Sequence, residues 1–182
     1  MENSEGKESS FKPILMRYHD IVHKIEVDAK TVLLKEGEYA RKLYFIERGC
    51  LRLWFCSKGK EVTVQFFFEN ERVASAESFF GNCASLFTLE TLEPSVLYYM
   101  TRKDFETILE DPDCSKGLIK VLTQRFMYYA ALHRSFINNT PKERYLELIK
   151  TQPRIIQRVP QHYIASYLGI TPVSLSRIRK RI

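Results

Sequence analysis

The chain has 182 residues, 45% of them apolar, and a net charge of +6, which suffices for the core of one medium domain with a small appendage and reads as soluble and globular. No apolar run approaches the length of a membrane span. The opening MENSEGKESS is polar and acidic, so residues 1–10 read as the disordered leader of a cytoplasmic protein, not as a signal peptide.

Residues 11–24 predict an amphipathic helix, with Ile14, Leu15, Tyr18, Ile21, Val22 and Ile25 along its apolar side. His19 and His23 stand four apart on it without a third ligand, and read as solvated side chains, not a metal site. From residue 29 to 100 the texture changes to short β-branched and aromatic runs separated by turn residues. That texture predicts strands at 31–35, 42–47, 51–56, 61–68 and 96–100. Turns fall at Glu36-Gly37-Glu38, at Arg48-Gly49 and at Ser57-Lys58-Gly59-Lys60. Within 61–68, Val62, Val64, Phe66 and Phe68 alternate with Glu61, Thr63, Gln65 and Phe67, which assigns the first set to a core. Strands at such regular spacing favour a closed sheet, a cupin-like jelly roll. Cys50, Cys56, Cys83 and Cys114 lack the C-x-x-C spacing of zinc or redox sites and read as small buried residues in a reducing cytosol. Cys50 and Cys56 are an even number apart and fit one strand face; a redox sensor or iron–sulfur ligand set is the alternative.

Thr101 followed by Asp104 is a cap signal for a helix running to Glu110, which Asp111-Pro112 ends. Residues 115–138 form the longest helical pattern, with Leu118, Leu122, Phe126 or Tyr129, His133 and Phe136 recurring at three-and-four spacing. It is more apolar than one sheet face requires. Asn138-Asn139 is a hinge candidate, and Thr140-Pro141-Lys142-Glu143 is a capping box that opens a helix through Lys150. Gln152-Pro153 closes it, and residues 154–160 predict an extended basic connector.

Residues 161–182, QHYIASYLGITPVSLSRIRKRI, contain two short apolar periods. Ile164, Ala165 and Leu168 share a face of one predicted helix, and Leu175, Ile178 and Ile182 a face of the next. Gly169 breaks the chain between them, Ile170 plugs the corner, Thr171 supplies a cap and Pro172 the first helical position. This is the spacing of a helix-turn-helix. Its outer face, Val173, Ser174, Ser176, Arg177, Lys180 and Arg181, carries no carboxylate. Residues 152–182 hold six cations, Arg154, Arg158, Arg177, Arg179, Lys180 and Arg181, and no Asp or Glu, so the whole net charge lies there. Phosphate contact calls for such a distribution.

Two stretches carry a family resemblance. GEYARKLYFIERGCLRLWF, residues 37–55, resembles the glycine-framed strand pair that opens the cyclic-nucleotide-binding β-roll of the CRP/FNR transcription regulators, and residues 161–182 are similar to their helix-turn-helix. The resemblance implies an α+β fold with an N-terminal cupin-like jelly roll (11–112), a dimerisation helix (113–138) and a C-terminal helix-turn-helix domain (139–182). Leu118, Leu122, Phe126, Tyr129, His133 and Phe136 would then pair two copies. It further implies double-stranded DNA with a palindromic operator and RNA polymerase as partners, without enzymatic activity, cofactor or metal.

Family members that bind a cyclic nucleotide present a Gly-Glu pair to the ribose and an arginine to the phosphate, since a buried anion needs a charged, bidentate partner. Here Ser85 falls at the arginine position and no Lys or Arg occurs between Arg72 and Arg102. Glu77 can stand for the ribose carboxylate, but alone it would repel a phosphate. The expectation is a roll that does not take cyclic AMP in the family manner. Phe66, Phe68, Glu77, Phe79, Phe80, Ser85 and Phe87 are candidate lining for a less anionic ligand of unknown identity; a filled aromatic core is the simpler use of the phenylalanines.

For DNA, Arg177 is the first candidate for base readout, because a guanidinium bonds guanine O6 and N7 together; Ser174 and Val173 follow. The cyclic-AMP-responsive members carry charged residues at the matching positions, so their operator is not carried over. Gln161, His162, Thr171, Ser176, Arg179, Lys180 and Arg181 are candidates for phosphate. A cupin-type metalloenzyme needs histidines inside the barrel, whereas His19, His23, His133 and His162 all fall outside the predicted strands. The remaining alternative is a small-molecule-sensing or protein-interaction module whose basic end meets an acidic partner other than DNA.

Overall fold

The computed structural model describes residues 17–182. The leader and residues 11–16 of the first predicted helix lie outside the described residues. The chain divides into two compact units, one formed by residues up to Phe55 with Gln65–Phe105, the other by Cys56–Val64 with Glu106–Ile182.

The first unit is built on eight short strands: β1 (His23–Val27), β2 (Val32–Leu34), β3 (Lys42–Arg48), β4 (Leu51–Ser57), β5 (Lys60–Phe67), β6 (Arg72–Val73), β7 (Thr88–Thr91) and β8 (Ser95–Thr101). They form two four-stranded sheets, in the orders β1-β8-β3-β6 and β2-β7-β4-β5. Apart from the β4–β5 hairpin, neighbours in each sheet are not sequential, as in a jelly roll. Apolar side chains fill its core, among them Phe45, Ile46, Leu51, Phe67, Phe79, Leu89, Leu97 and Met100. Two short helices belong to this unit, α1 (Ala76–Gly81) and α2 (Arg102–Ile108). The Thr101 hydroxyl and the Asp104 N–H and carboxylate bond one another at the start of α2, as the cap signal predicts. The fold class read from the sequence is therefore the one observed.

Several local expectations are corrected. His23 begins strand β1 instead of ending a helix; it pairs in register with Tyr99 of β8 and its ring lies 5.2 Å from that tyrosine's. The run His23–Val27 alternates Ile25 and Val27, and a helix period and a strand period are hard to separate over so few residues. One of the four histidines thus lies on a strand, yet among the described residues no group of three His, Cys, Asp or Glu is placed to hold a metal. In β5 the alternation is also reversed locally, with Thr63 and Gln65 buried and Val62 and Val64 half-exposed. The cysteines are free; Cys50 is buried while Cys56 and Cys83 are exposed.

The second unit is helical: α3 (Pro112–Asn138), α4 (Pro141–Thr151), α5 (Pro153–Arg158), α6 (Gln161–Tyr167) and α7 (Pro172–Arg179). Asp111-Pro112 ends one helix and starts the next, since the Asp111 carboxylate accepts from Asp113 N–H at 2.9 Å and Pro112 takes the first helical position. The expected extended connector after Gln152 is instead α5, with Pro153 at its first turn and Ile155 buried. Ile182, expected on the apolar face of the last helix, lies beyond the end of α7 and is exposed. Among the described residues no helix is long and apolar enough to cross a membrane.

One buried ion pair was not foreseen. Arg52 on β4 and Glu90 on β7 oppose each other in register. The Arg52 Nε donates to Glu90 Oε1 at 2.9 Å and its terminal nitrogen approaches the same oxygen at 2.5 Å, with the guanidinium 5.0 Å from the Trp54 ring. Arg52 is 0% exposed. A buried pair contributes little over an apolar one of the same shape, but breaking it leaves a lone charge in the core. Glu90→Ala should therefore cost about 3 kcal/mol or more, whereas Arg52→Met with Glu90→Leu should recover most of it; chemical denaturation checks both.

Candidate nucleic-acid interface

Helices α6 and α7 are joined through Gly169, whose φ of 69° is the left-handed conformation in which glycine avoids a Cβ penalty. Its N–H bonds Ser166 O and the next N–H, of Ile170, bonds Ala165 O, both at 3.0 Å. These are the bonds of a Schellman cap. Helix α7 restarts at once, with the Thr171 hydroxyl accepting from Ser174 N–H at 3.2 Å and Pro172 in the first turn. Ile164, Ala165, Tyr167, Leu168 and Leu175 are buried where the two helices meet their surroundings. The small Ala165 lets the helices approach, as its place in the pattern suggests.

On the outside of α7, Val173, Ser176, Arg177, Arg179, Lys180 and Arg181 are exposed, while Ser174 is half-buried against its bond to Thr171. Gln161 and His162 are exposed at the start of α6, with the His162 ring 3.9 Å from that of Tyr163. The residues singled out for bases and phosphates thus lie on the surface of one helical pair, whose face has cations without carboxylates. Val173, 61% exposed, is an apolar residue held in water.

The pair is bonded to the rest of its unit by groups that the sequence did not reveal. The Tyr167 hydroxyl lies 2.9 Å from that of Tyr128 on α3, which also accepts from the Gln152 side chain at 3.0 Å. Burial first, and then the neighbouring Tyr128, push the Tyr167 hydroxyl well above the usual tyrosine range, so it stays protonated. Arg144 on α4 donates to the carbonyls of Asn139 and Leu168 at 2.8 and 2.9 Å, with its guanidinium 4.6 Å from the Phe136 ring. It thereby links the end of α3, the hinge candidate Asn139 and the end of α6. Helix α4 is opened by the predicted capping box, in which Thr140 and Glu143 bond reciprocally. The backbone N–H of Thr140, then its hydroxyl, hold the Glu143 carboxyl below its ordinary range.

Helix α3 carries two stripes at heptad spacing. Leu118, Val121, Arg125, Tyr128, Leu132 and Ser135 are half-buried, whereas Ile119, Leu122, Phe126, Tyr129, His133 and Phe136 are exposed. The expected pairing stripe is the second, except that Leu118 belongs to the first and Ile119 takes its place. Ile119 is 64% and Phe126 71% exposed.

In the roll, the Glu77 carboxylate accepts from the Ser75 hydroxyl at 2.5 Å and from Leu86 N–H at 3.0 Å through the same oxygen. Ser85 lies 2.6 Å from Ser75 and donates to Phe87 O at 2.7 Å. Phe66, Phe68 and Phe79 are buried, while Phe80 is 42% exposed and packs edge-on to Phe79 and Phe105. Phe87 meets Phe55 edge-on. None of the seven candidate ligand residues lines either of two clefts in this unit. One, of about 190 Å³, is lined by Glu26, Asp28, Arg48 and Ser95; the other, of about 170 Å³, by Leu34, Tyr39, Arg41, Lys42, Tyr44 and Ser75. Burial, then the charge of Tyr99, push Tyr44 in it up to about 12.

Residues 24–111 match the family model of the cyclic nucleotide-binding domain. No curated protein matches the chain. Among solved structures, it is similar to the c-di-GMP-responsive global regulator CLP of Xanthomonas campestris, with a TM-score of 0.75, 16% identity and coverage of 93% of this chain and 90% of that one. It is likewise similar to FixK2 of Bradyrhizobium japonicum, at 0.73 and 17%, covering 88% and 84%. A transcriptional regulator from Eubacterium rectale, described as of the crp/fnr family, gives 0.73 and 16%, covering 90% and 79%. The chain shares the fold of these CRP/FNR-type proteins, and its β-roll is the part that matches the cyclic nucleotide-binding domain model.

Proposed function

We propose that the protein is a homodimeric transcription regulator that reads DNA through α7 and is not controlled by cyclic AMP. It acts in the cytoplasm on a palindromic operator, with RNA polymerase as a further partner, and catalyses no reaction. The observation that carries the reading is the exposed cationic run Arg177, Arg179, Lys180 and Arg181 at the end of the α6–α7 pair, within a stretch, residues 152–182, whose sequence holds no Asp or Glu. Phosphates attract such a face and an exposed Arg177 on it can address a guanine edge. The proposed domain boundaries, 11–112, 113–138 and 139–182, put this face on the third domain and the exposed stripe of α3 on the second. An apolar seam at heptad spacing in water is unfavourable alone, and a second copy supplies the matching seam. Twofold pairing also suits a palindrome.

The roll supports the negative half of the reading. Its clefts of about 190 and 170 Å³ are below the roughly 300 Å³ at which small-molecule sites begin. The Glu77 oxygen that a ribose would need already has two donors, and Ser85 offers no charge to a phosphate.

Selection of bound sequences from a random DNA pool tests the function, with recovery of one palindrome expected and a flat sequence distribution counting against it. On the recovered operator, Arg177→Ala should relax preference by about 1–3 kcal/mol at one base position, while Lys180→Ala should weaken all sequences alike; a shift assay on operator and scrambled duplex separates the two. Phe126→Glu should shift the sedimentation coefficient to that of a monomer and abolish operator binding. Calorimetric titration with cyclic AMP should show no heat at micromolar concentration, and a saturable signal there would refute that half of the proposal.

A further inference from the structure

Strand β5 is the last in its sheet, so along residues 60–64 one row of its backbone N–H and C=O groups has no neighbouring strand. Such a row is either solvated or must find partners. Thr63 is 4% exposed, and here two groups of the row find a partner in one side chain of the α6–α7 pair. The Ser166 hydroxyl on α6 accepts from Thr63 N–H at 2.9 Å and donates to Glu61 O at 2.9 Å. Residues two apart on a strand face the same way, and a hydroxyl is donor and acceptor at once. One serine therefore does the work of a strand neighbour across more than a hundred residues of sequence.

The hairpin that carries this row is short and well defined. Lys58 and Gly59 at its tip both have positive φ, 51° and 73°, the pattern of a two-residue type I′ turn. On α6 the consecutive residues Ser166, Tyr167 and Leu168 each hold a different element: this hairpin, Tyr128 of α3, and Arg144 of α4. Attachments at two adjacent points leave a helix free to swing about the line joining them. A third, about 100° round the helix, removes that freedom.

We propose that Ser166 is a positioning residue for DNA reading: through it the β4–β5 hairpin fixes the orientation of the α6–α7 pair, and so the separation of half-sites that a dimer accepts. This rests on the DNA-reading dimer proposed above. Ser166 is not among the residues assigned to bases or phosphates, so its effect is confined to orientation.

The test uses the full chain on duplexes carrying the selected palindrome, on versions with the half-sites one base pair closer or farther, and on a single half-site. Ser166→Ala should bind the single half-site as the unaltered chain does, bind the palindrome about tenfold more weakly, and lose its preference among spacings. Ser166→Cys, of similar volume with weaker hydrogen bonds, should show the same pattern to a smaller degree, and Ser166→Thr should restore the preference. An equal drop on half-site and palindrome overturns the proposal in favour of a merely structural serine, as does an unchanged spacing preference in Ser166→Ala and Ser166→Cys. If the unaltered chain selects no DNA sequence at all, the DNA-reading proposal falls first, and that outcome is visible before any variant is made.

Discussion

The last turn of α6 is the point on which the second unit depends. Its three consecutive residues are buried or half-buried polar attachments of different kinds: a hydroxyl on a strand edge, a phenol on a phenol, and a terminal carbonyl on a guanidinium. Each answers a requirement that the fold creates. A covered strand edge needs partners, a buried tyrosine needs one for its hydroxyl, and the last carbonyls of a helix have none within it. Arg144 serves that last need with positive charge, which the negative end of a helix favours. The same guanidinium holds the Asn139 carbonyl, so the hinge candidate is tied to the helix whose direction it would change.

Several polar groups of the roll bond to one another. In the roll, Arg52 is engaged by Glu90, and Glu77, Ser75 and Ser85 bond among themselves and to nearby backbone. Glu77 and the two serines are thus already engaged with one another and with backbone. On α7 the reverse holds: Arg177, Arg179, Lys180 and Arg181 lie exposed at the surface, where long-range attraction acts and salt screens it. The chain thus keeps its unspent charge at one end.

What the sequence made legible was local. Runs of β-branched and aromatic residues between turn signals revealed β3, β4 and β8, and Gly169, Thr171 and Pro172 framed α6 and α7 within a residue or two, because caps and turns are decided by a few adjacent side chains. The stripe expected on α3 coincides with its exposed face to within one residue, Ile119 for Leu118, since a heptad stripe and its neighbour differ by a single step. What stayed hidden was set by distant partners. Strand β1 pairs with β8, and the edge of β5 at Thr63 is bonded by Ser166 from more than a hundred residues away. The Val62 and Val64 face looked like core by composition, yet Thr63 and Gln65 are the buried residues. Helix α5 alone was misread for a local reason, as Pro153 at a first turn starts a helix as readily as it ends one.

The two stripes of α3 bring these threads together. Tyr128 lies on the half-buried stripe and bonds the reading pair through Tyr167, whereas Tyr129, the next residue, lies on the exposed stripe, and their rings are 5.7 Å apart. A mate docking on the exposed stripe would therefore press on the neighbour of the residue that holds α6. Close-packed contacts pass on displacements of a fraction of an ångström because cores have few voids to absorb them. In the dimer proposed above, packing between two copies and the orientation of each α6–α7 pair would be coupled through these two rings. The hairpin reaches the same turn of α6 from the other end of the sequence. A disturbance at either the pairing seam or the hairpin would thus arrive at one place, the three residues from Ser166 to Leu168.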